Sequence, residues 1–165
     1  MSVKNNLTRL LDSRKASYHA FELTAAKHSA EDTAAMLGVA PEAVFKTIVV
    51  TREKPGKPIL CMVPANTEVD LKRLAASLGE KKLTLPTQRE AESLTGLQAG
   101  GISALALLNK GFQICLDASA QSHTEIHISG GQRGLTLRLA VNDLIRLTNA
   151  RWVDASTTNH VGKAA

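Results

Sequence analysis

One segment constrains the fold more than any other, the run Val44-Phe45-Lys46-Thr47-Ile48-Val49-Val50. β-Branched and aromatic residues favour a pleated backbone, and an apolar run of this length with little alternation predicts a central strand covered on both faces. Lys46 lies near the start of this strand. Because burial of an unpaired ammonium group is costly, its side chain must either reach solvent or point into a cleft. A surface lysine is the ordinary interpretation, so a cleft requires support from other segments.

Length and composition favour one domain. The chain has 165 residues, of which 44% are hydrophobic. This is enough to form one sizeable core, but the chain is short for two ordinary domains. Its formal net charge of +5 fits an anionic partner without identifying one. Only 3% of the residues are aromatic, which argues against a platform that stacks successive nucleic-acid bases.

The apolar segments predict a soluble, cytoplasmic protein. Residues 1–11 are polar and periodic, without the apolar centre of a secretory signal. No segment approaches the roughly 18 to 20 apolar residues of a membrane-spanning helix, so we expect no membrane partner. Cys61 and Cys115 lie in strand-like apolar runs and are expected to be reduced core residues rather than a disulfide.

Turn and capping signals divide the chain into interleaved helices and strands. Helices are predicted at 3–15 behind Ser2, 29–37, 70–78, 87–96 and 142–148, and strands at 18–22, 44–52, 58–64, 112–116, 125–128 and 135–139. The hairpins 44–64 and 125–139 favour a mixed, mainly antiparallel sheet, and the fold class is α+β in a single domain over 1–154. Residues 155–165 are small and polar and are predicted to form a flexible tail.

Two glycine pairs, Gly100-Gly101 and Gly130-Gly131, are candidates for a ligand site. Adjacent glycines let the backbone approach a ligand and present amide N–H groups to an anion or oxyanion. Ordinary turns explain such pairs as well, and the second pair joins two predicted strands. Neither segment has the spacing of a Walker loop or of a dinucleotide-binding fingerprint.

The sequence contains no motif for a metal site or a serine nucleophile. The five histidines include no His-Glu-x-x-His pair and no Cys-x-x-Cys partner, so a zinc site is not expected. No Gly-x-Ser-x-Gly motif occurs. A cysteine nucleophile at Cys61 or Cys115 is conceivable, but buried thiols tend to be inert.

The densest positive cluster lies on and just after the third predicted helix. It comprises Lys72, Arg73, Lys81 and Lys82. Such a cluster can face the phosphates of a nucleic acid. The competing interpretation is an ordinary solvated helix face, because basic runs are common on soluble domains.

Three segments together resemble the signature of a known family. They are Val44 to Val50, then Gly100-Gly101-Ile102-Ser103 with Lys110 a few residues on, then Ile126-His127-Ile128-Ser129-Gly130-Gly131-Gln132-Arg133-Gly134-Leu135. In this order and spacing they look like the YbaK family of free-standing aminoacyl-tRNA deacylases. That family is related to the editing domain inserted in bacterial prolyl-tRNA synthetase. The resemblance covers the chain from about Leu7 to Val153.

The resemblance implies a hydrolase for mischarged tRNA, best known in this subgroup for removing cysteine from proline tRNA. It implies a curled, barrel-like mixed sheet flanked by helices, and neither a metal nor an organic cofactor. The implied partners are the 3′ end of an aminoacyl-tRNA and prolyl-tRNA synthetase. The implied attack on the ester carbonyl comes from the substrate's own thiol, so the protein would need no nucleophile of its own.

The family's site residues carry over to matching positions of this chain. The key lysine corresponds to Lys46, the expected catalytic residue. The expected substrate-binding positions are Thr47, Gly100, Gly101, Ile102, Ser129, Gly130 and Gly131. We expect Lys46 to supply positive charge for the terminal phosphate or the carbonyl oxygen, and the glycine loops to supply N–H donors.

Two departures from the family pattern widen the range of substrates. Thr136 stands where the cysteine-specific group often has an aspartate, and Ala104 where a proline often follows the glycine segment. Alanine, serine or another small residue are therefore alternative substrates, with water as the attacking group. A different alternative is a non-catalytic module that captures aminoacyl-tRNA or docks on a synthetase. A thiol enzyme built on Cys61 or Cys115 is a third.

Overall fold

The computed structural model describes residues 4–24 and 28–157. This part of the chain forms five α-helices, α1 (Asn6–Ser13), α2 (Ala30–Leu37), α3 (Leu71–Leu78), α4 (Gln88–Thr95) and α5 (Val141–Thr148). It also forms eight strands, β1 (Tyr18–Glu22), β2 (Phe45–Arg52), β3 (Ile59–Pro64), β4 (Leu83–Thr84), β5 (Gln113–Asp117), β6 (Glu125–Ser129), β7 (Leu135–Ala140) and β8 (Arg151–Val153). The predicted α+β class is confirmed.

Local capping chemistry sets the ends of three helices as predicted. Ser29, Asp70 and Thr87 are the N-caps of α2, α3 and α4, and each side chain accepts a hydrogen bond from a backbone N–H in the first turn. Each of these helices ends at a glycine in the left-handed conformation.

The predicted boundaries of the first and last helices are wrong. α1 begins at Asn6 because the side chain of Asn5 accepts from the N–H of Thr8, and Ser2 lies outside the described residues. For the last helix the sequence predicts a cap at Asn142-Asp143. Instead α5 begins at Val141, after Ala140, without any side-chain cap.

The strands form two sheets. β1, β7 and β6 make a three-stranded antiparallel sheet in the order β1-β7-β6, and the other strands make a five-stranded sheet in the order β4-β2-β3-β5-β8. The pairs β3–β5 and β5–β8 are parallel, so the second sheet is mixed as predicted. Among the described residues, a single bridge between Val44 and His127 links the two sheets. The described strands therefore do not close on themselves, and the predicted barrel-like shape is not confirmed.

Apolar residues cover both faces of the five-stranded sheet. Phe45 and Val49 of β2 belong to the larger core cluster, which includes the inner residues of the three-stranded sheet and of α1 and α5. Val50 belongs to a second cluster under α3, against which Ile48 packs. The alternation along β2 thus confirms the prediction of a strand covered on both faces.

The C-terminal residues 155–157 pack against the domain. Ala155 is fully buried, its N–H donates to Asp117, and Ser156 forms a bridge with Val69. The part of the predicted tail that the structure describes is therefore held in place. Residues 158–165 lie outside the described residues.

Candidate active site

A cavity of about 360 Å³ lies at one edge of β2. The short strand β4 pairs only with Thr51 and Arg52, and no described strand pairs with residues 45–50 on that edge. Consecutive residues from Val44 to Val49 line the cavity. Because neighbouring side chains on a strand point to opposite faces, such a run can border one cavity only along a strand edge.

The rest of the cavity wall comes from segments that are distant in sequence. They are Leu23, residues at the start of α2, residues 85–88 with Ala91, the glycine segment through Ala99, Gly100 and Ile102, and the adjoining ends of β6 and β7. Five of the predicted site residues line this cavity, Lys46, Thr47, Gly100, Ile102 and Ser129. The structure therefore brings the three signature segments to one place, as the cleft interpretation requires.

Lys46 is the cation of β2 in this cavity. Its side chain is half-buried, and its Nζ donates a hydrogen bond to the carbonyl oxygen of Ala65 at 3.2 Å. Ala65 is held in turn, because its N–H donates to the carbonyl of Val44 at 2.7 Å. No carboxylate among the described residues lies within 4.0 Å of Nζ. The ammonium group is therefore positioned without being neutralised.

Gly101, Gly130 and Gly131 do not line the cavity. The N–H of Gly101 donates to Gln98, that of Gly130 to Leu135, and that of Gly131 to the hydroxyl of Ser129. These three amides already have partners within the protein, so the expected role of the glycine loops as N–H donors rests on Gly100.

Steric demands account for two of these glycines. A Cβ at Gly101 would lie 3.0 Å from the backbone of Gln132, so the glycine lets the two predicted loops pack together. A hydrogen bond of 2.8 Å from Arg133 Nε to the carbonyl of Ala99 fastens the same contact. A Cβ at Gly130 would lie 2.5 Å from Cγ of Leu135. The turn thereby packs Leu135 and presents Ser129 to the cavity.

Several hydroxyl groups and one histidine complete the polar part of the wall. Thr136, noted in the sequence only as a departure from the family pattern, is buried and lines the cavity opposite Ser129 in the β6–β7 register. His28 and Thr33 also line it. Nε2 of His28 lies 2.8 Å from Oγ1 and 3.2 Å from the backbone oxygen of Thr24. Since a carbonyl can only accept, this contact favours the tautomer with hydrogen on Nε2.

Sequence patterns gave no signal for the segment that closes the cavity rim. Leu85, Pro86, Thr87 and Gln88 line the cavity, whereas the sequence predicts only that Thr87 and Gln88 begin a helix. Their role depends on the pairing of β4 with β2, which carries the chain alongside the cavity. No sequence motif singles out His28 either, because its position at the cavity follows from tertiary packing.

The predicted basic cluster lies outside the cavity wall. Lys72, Lys81 and Lys82 are exposed. Arg73 is different, because it forms an ion pair with Asp154 and donates to the backbone oxygen of Ser156. The four residues are therefore not equivalent.

Neither cysteine is suited to nucleophilic catalysis. Cys61 and Cys115 are paired in the β3–β5 register and have no solvent exposure. Burial raises the pKa of Cys115 to about 11 and raises the pKa of Cys61 further. Neither residue lines the cavity, which argues against the thiol-enzyme alternative.

The described structure has neither a metal-ligand cluster nor a membrane-spanning helix. Among the residues that the structure describes, no group of three or more His, Cys, Asp or Glu side chains could hold a metal ion. No described helix is both long and apolar enough to span a bilayer.

Comparison with known proteins identifies the family. Residues 24–147 match the model of the aminoacyl-tRNA editing domain. The chain belongs to this family. It is also 33% identical over 156 residues to the "Putative Cys-tRNA(Pro)/Cys-tRNA(Cys) deacylase EbsC" of Enterococcus faecalis, covering 93% of this chain and 94% of the relative. The predicted relationship to the deacylases of this editing family is confirmed.

Solved structures share the fold of this editing domain. The crystal structure of hypothetical protein APE2540 superimposes with a TM-score of 0.84 at 20% identity, covering 93% of this chain and all of that one. A second crystal structure is described as "a putative trans-editing enzyme for prolyl tRNA synthetase". It superimposes with a TM-score of 0.76 at 24% identity over 94% of this chain and 99% of that one. At these identities the likeness establishes the fold.

The family assignment also settles the class of protein. The chain is an aminoacyl-tRNA editing protein of the deacylase class, as the sequence predicts. The cavity holding Lys46 is its candidate active site.

Proposed function

We propose that this protein hydrolyses the ester of Cys-tRNA(Pro), releasing cysteine from mischarged proline tRNA. The observation that carries the proposal is the convergence of Lys46, Thr47, Gly100, Ile102 and Ser129 on one cavity in an editing domain. The name of the relative that is 33% identical supports cysteine as the amino acid. A volume of about 360 Å³ is in the range of small-molecule sites.

The cavity wall offers orientation and charge rather than a nucleophile. Its described residues include hydroxyl groups, one lysine and one histidine, but neither cysteine nor carboxylate. An aminoacyl ester is already activated, so holding the attacking group close to the carbonyl supplies a large part of the acceleration. Lys46 would place positive charge near the oxygen on which negative charge develops. Gly100 and the hydroxyl of Ser129 would contribute contacts to the terminal adenosine and the aminoacyl group.

The proposed attack uses the thiol of the substrate. The sulfur forms a bond to the ester carbonyl carbon, the bond from that carbon to the ribose oxygen breaks, and the ribose oxygen takes up the proton that the thiol lost. The cyclic thioester that is released is then opened by water. With alanine or serine on the tRNA, water itself would have to attack the ester. These two amino acids are alternative substrates because Thr136 stands where the cysteine-specific group often has an aspartate.

The test is single-turnover hydrolysis of proline tRNA charged separately with cysteine, serine, alanine and proline. We expect rapid loss of cysteine, slow loss of serine and alanine, and no loss of proline. Serine matches cysteine in shape and lacks only the thiol, so a similar rate for both would refute attack by the substrate sulfur. The Lys46→Ala variant should lose roughly 100-fold in rate, the scale of removing one electrostatic contact to the developing oxyanion. Lys54→Ala, in the exposed β2–β3 turn, is the control and should retain the wild-type rate.

The same assay separates the enzyme from a capture module. Binding of aminoacyl-tRNA with no turnover of any ester would refute the deacylase and favour the non-catalytic alternative. The proposal places the protein in the cytoplasm, with aminoacyl-tRNA as its substrate and prolyl-tRNA synthetase as a proposed partner. Association with that synthetase can be measured directly with the two purified proteins.

A further inference from the structure

Residues 81–89 form a continuous basic segment along the cavity, which we name the basic rim. Its sequence is Lys-Lys-Leu-Thr-Leu-Pro-Thr-Gln-Arg, with three cations and no carboxylate. Lys81, Lys82 and Arg89 at its two ends are exposed. The four residues 85–88 line the cavity itself. The charged ends of the basic rim therefore flank the residues that line the cavity.

Both carboxylates that flank the basic rim are engaged with the protein. Glu80 lies largely buried, with Oε2 at 3.8 Å from Nε of Arg52. Glu90 is exposed, and its Oε1 accepts a hydrogen bond of 2.8 Å from the N–H of Thr87. That hydrogen bond lowers the pKa of Glu90. Neither carboxylate forms an ion pair with a cation of the basic rim.

Strand register brings one more carboxylate close to the basic rim. Leu83 pairs with Arg52 in the antiparallel β4–β2 ladder, so Glu53 is the next residue opposite Lys82. Glu53 is exposed, and no ion pair within 4.0 Å joins it to Lys82 in the described structure. The lysine ammonium groups of the rim thus remain available to an external anion.

The basic residues of α3 are less suitable for that role. Arg73 is bound to Asp154 and to the backbone of Ser156, which leaves less of its charge for a ligand. Leu74 and Ala75 pack α3 against the second core cluster, and no described residue of α3 lines the cavity. The predicted basic cluster therefore divides into an α3 part away from the cavity and a rim part beside it.

We propose that the basic rim binds the phosphates of the single-stranded 3′ end of the tRNA while the terminal adenosine occupies the cavity. This inference rests on the proposed function. The ester to be cleaved is attached to the last nucleotide, so the phosphates that precede it must leave the cavity across its edge. β4 advances about 3.3 Å per residue, which places Lys82 about 10 Å along the chain from Leu85 at the cavity edge. Cations at this separation can meet successive phosphates of a strand leaving the mouth.

The first test measures binding of uncharged proline tRNA between 50 and 200 mM salt, so it does not depend on hydrolysis. Each phosphate contact to a single strand contributes a slope of about 0.7 in log affinity against log salt. A protein with three rim contacts should lose roughly 20-fold in affinity over this range, and Lys81→Glu/Lys82→Glu only about 3-fold. The matched control Arg14→Glu/Lys57→Glu changes the net charge equally at exposed positions outside the rim, and should retain the wild-type slope.

The second test uses cysteinyl-adenosine, which lacks the preceding phosphates. Its kcat/KM should be the same for wild type and the Lys81→Glu/Lys82→Glu variant, whereas kcat/KM for Cys-tRNA(Pro) should fall in that variant. A loss with cysteinyl-adenosine would assign the lysines to the cavity and overturn the phosphate interpretation. Absence of Cys-tRNA(Pro) hydrolysis by the wild type would refute the proposed function, while the salt slopes of tRNA binding would still decide the role of the rim.

An unchanged tRNA salt slope in the rim variant would overturn the inference. If the slope were reduced in Lys72→Glu instead, the phosphates would be assigned to α3. If the rim variant lost association with prolyl-tRNA synthetase instead, the rim would be a protein interface.

Discussion

Replacement of Gly130 by alanine should destabilise the fold through one steric contact. The new Cβ would lie 2.5 Å from Cγ and 2.7 Å from Cδ2 of Leu135, a side chain that is buried and also lines the cavity. Overpacking of this kind costs about 1–3 kcal/mol. The prediction distinguishes a glycine required by packing from a glycine required for close approach of a substrate.

A double-mutant cycle isolates this contact. In a Leu135→Ala background the Cγ and Cδ2 atoms are gone and only Cβ remains, 3.1 Å from the new methyl group. We therefore expect Gly130→Ala to cost less in that background than in the wild type, with a coupling of roughly 0.5–3 kcal/mol. Leu135→Ala alone should cost about 2–5 kcal/mol because it creates a cavity. Urea unfolding followed by circular dichroism gives all four free energies of unfolding.

Gly131→Ala provides the matched control. Gly131 has φ of +92°, and a Cβ there would meet its nearest neighbour, Ala106, at an ordinary 3.5 Å. Its cost comes from backbone strain, so it should be the same in the Leu135→Ala background. Equal cost of Gly130→Ala in both backgrounds would refute the steric explanation. Loss of deacylation without loss of stability would show instead that Gly130 acts through the substrate.

Two remaining predictions concern buried polar groups outside the cavity. Asp117→Asn should lower the free energy of unfolding at pH 7 by about 2 kcal/mol, because the carboxylate accepts from Ser119, Ala155 and Ser156. Burial raises the pKa of the Asp117 carboxyl, but these hydrogen bonds outweigh burial and lower the pKa from 3.8. The carboxylate therefore stabilises the folded state at higher pH, and this stabilisation disappears as the pH falls through the folded-state pKa. Urea unfolding from pH 6 to pH 3 should therefore show a steeper loss for wild type than for the variant, and parallel curves would contradict this. Cys115→Ala should retain the wild-type single-turnover rate, since the thiol is buried away from the cavity; a large loss of rate with the fold intact would revive the thiol enzyme.

Elements fixed by local chemistry were predictable from the sequence. The caps at Ser29, Asp70 and Thr87 follow from side-chain hydrogen bonds to backbone only a few residues away. The β2–β3 hairpin follows from a turn between two apolar runs. α1 shows the limit of this reasoning, because both Ser2 and Asn5 are residue types that cap helices. Asn5 caps α1 through Thr8, and its contacts with Gly130 and Gln132 add long-range bonds that no sequence pattern shows.

Long-range pairing was beyond the sequence patterns. The parallel pairs β3–β5 and β5–β8 join strands separated by helices and loops, and no periodicity indicates which strands become neighbours. The two-residue strand β4 is too short to give a strand signal, yet it decides that residues 85–88 line the cavity. The separation into two sheets was likewise not predictable, because it depends on the bridge between Val44 and His127 not extending into a continuous ladder.

The open edge of β2 explains how two neighbouring residues can serve the same site. By strand alternation, Lys46 lies on the face that carries Ile48 and Val50, whereas Thr47 lies on the opposite face with Phe45 and Val49. Both line the cavity because it lies along the strand edge between these faces. The ammonium group of Lys46 is held on the side of the Ala65 carbonyl, and the side chain of Thr47 lies on the side of the larger core. A substrate between them also meets backbone groups of β2 that no described strand uses, so strand geometry as well as side chains would determine how the ester is held.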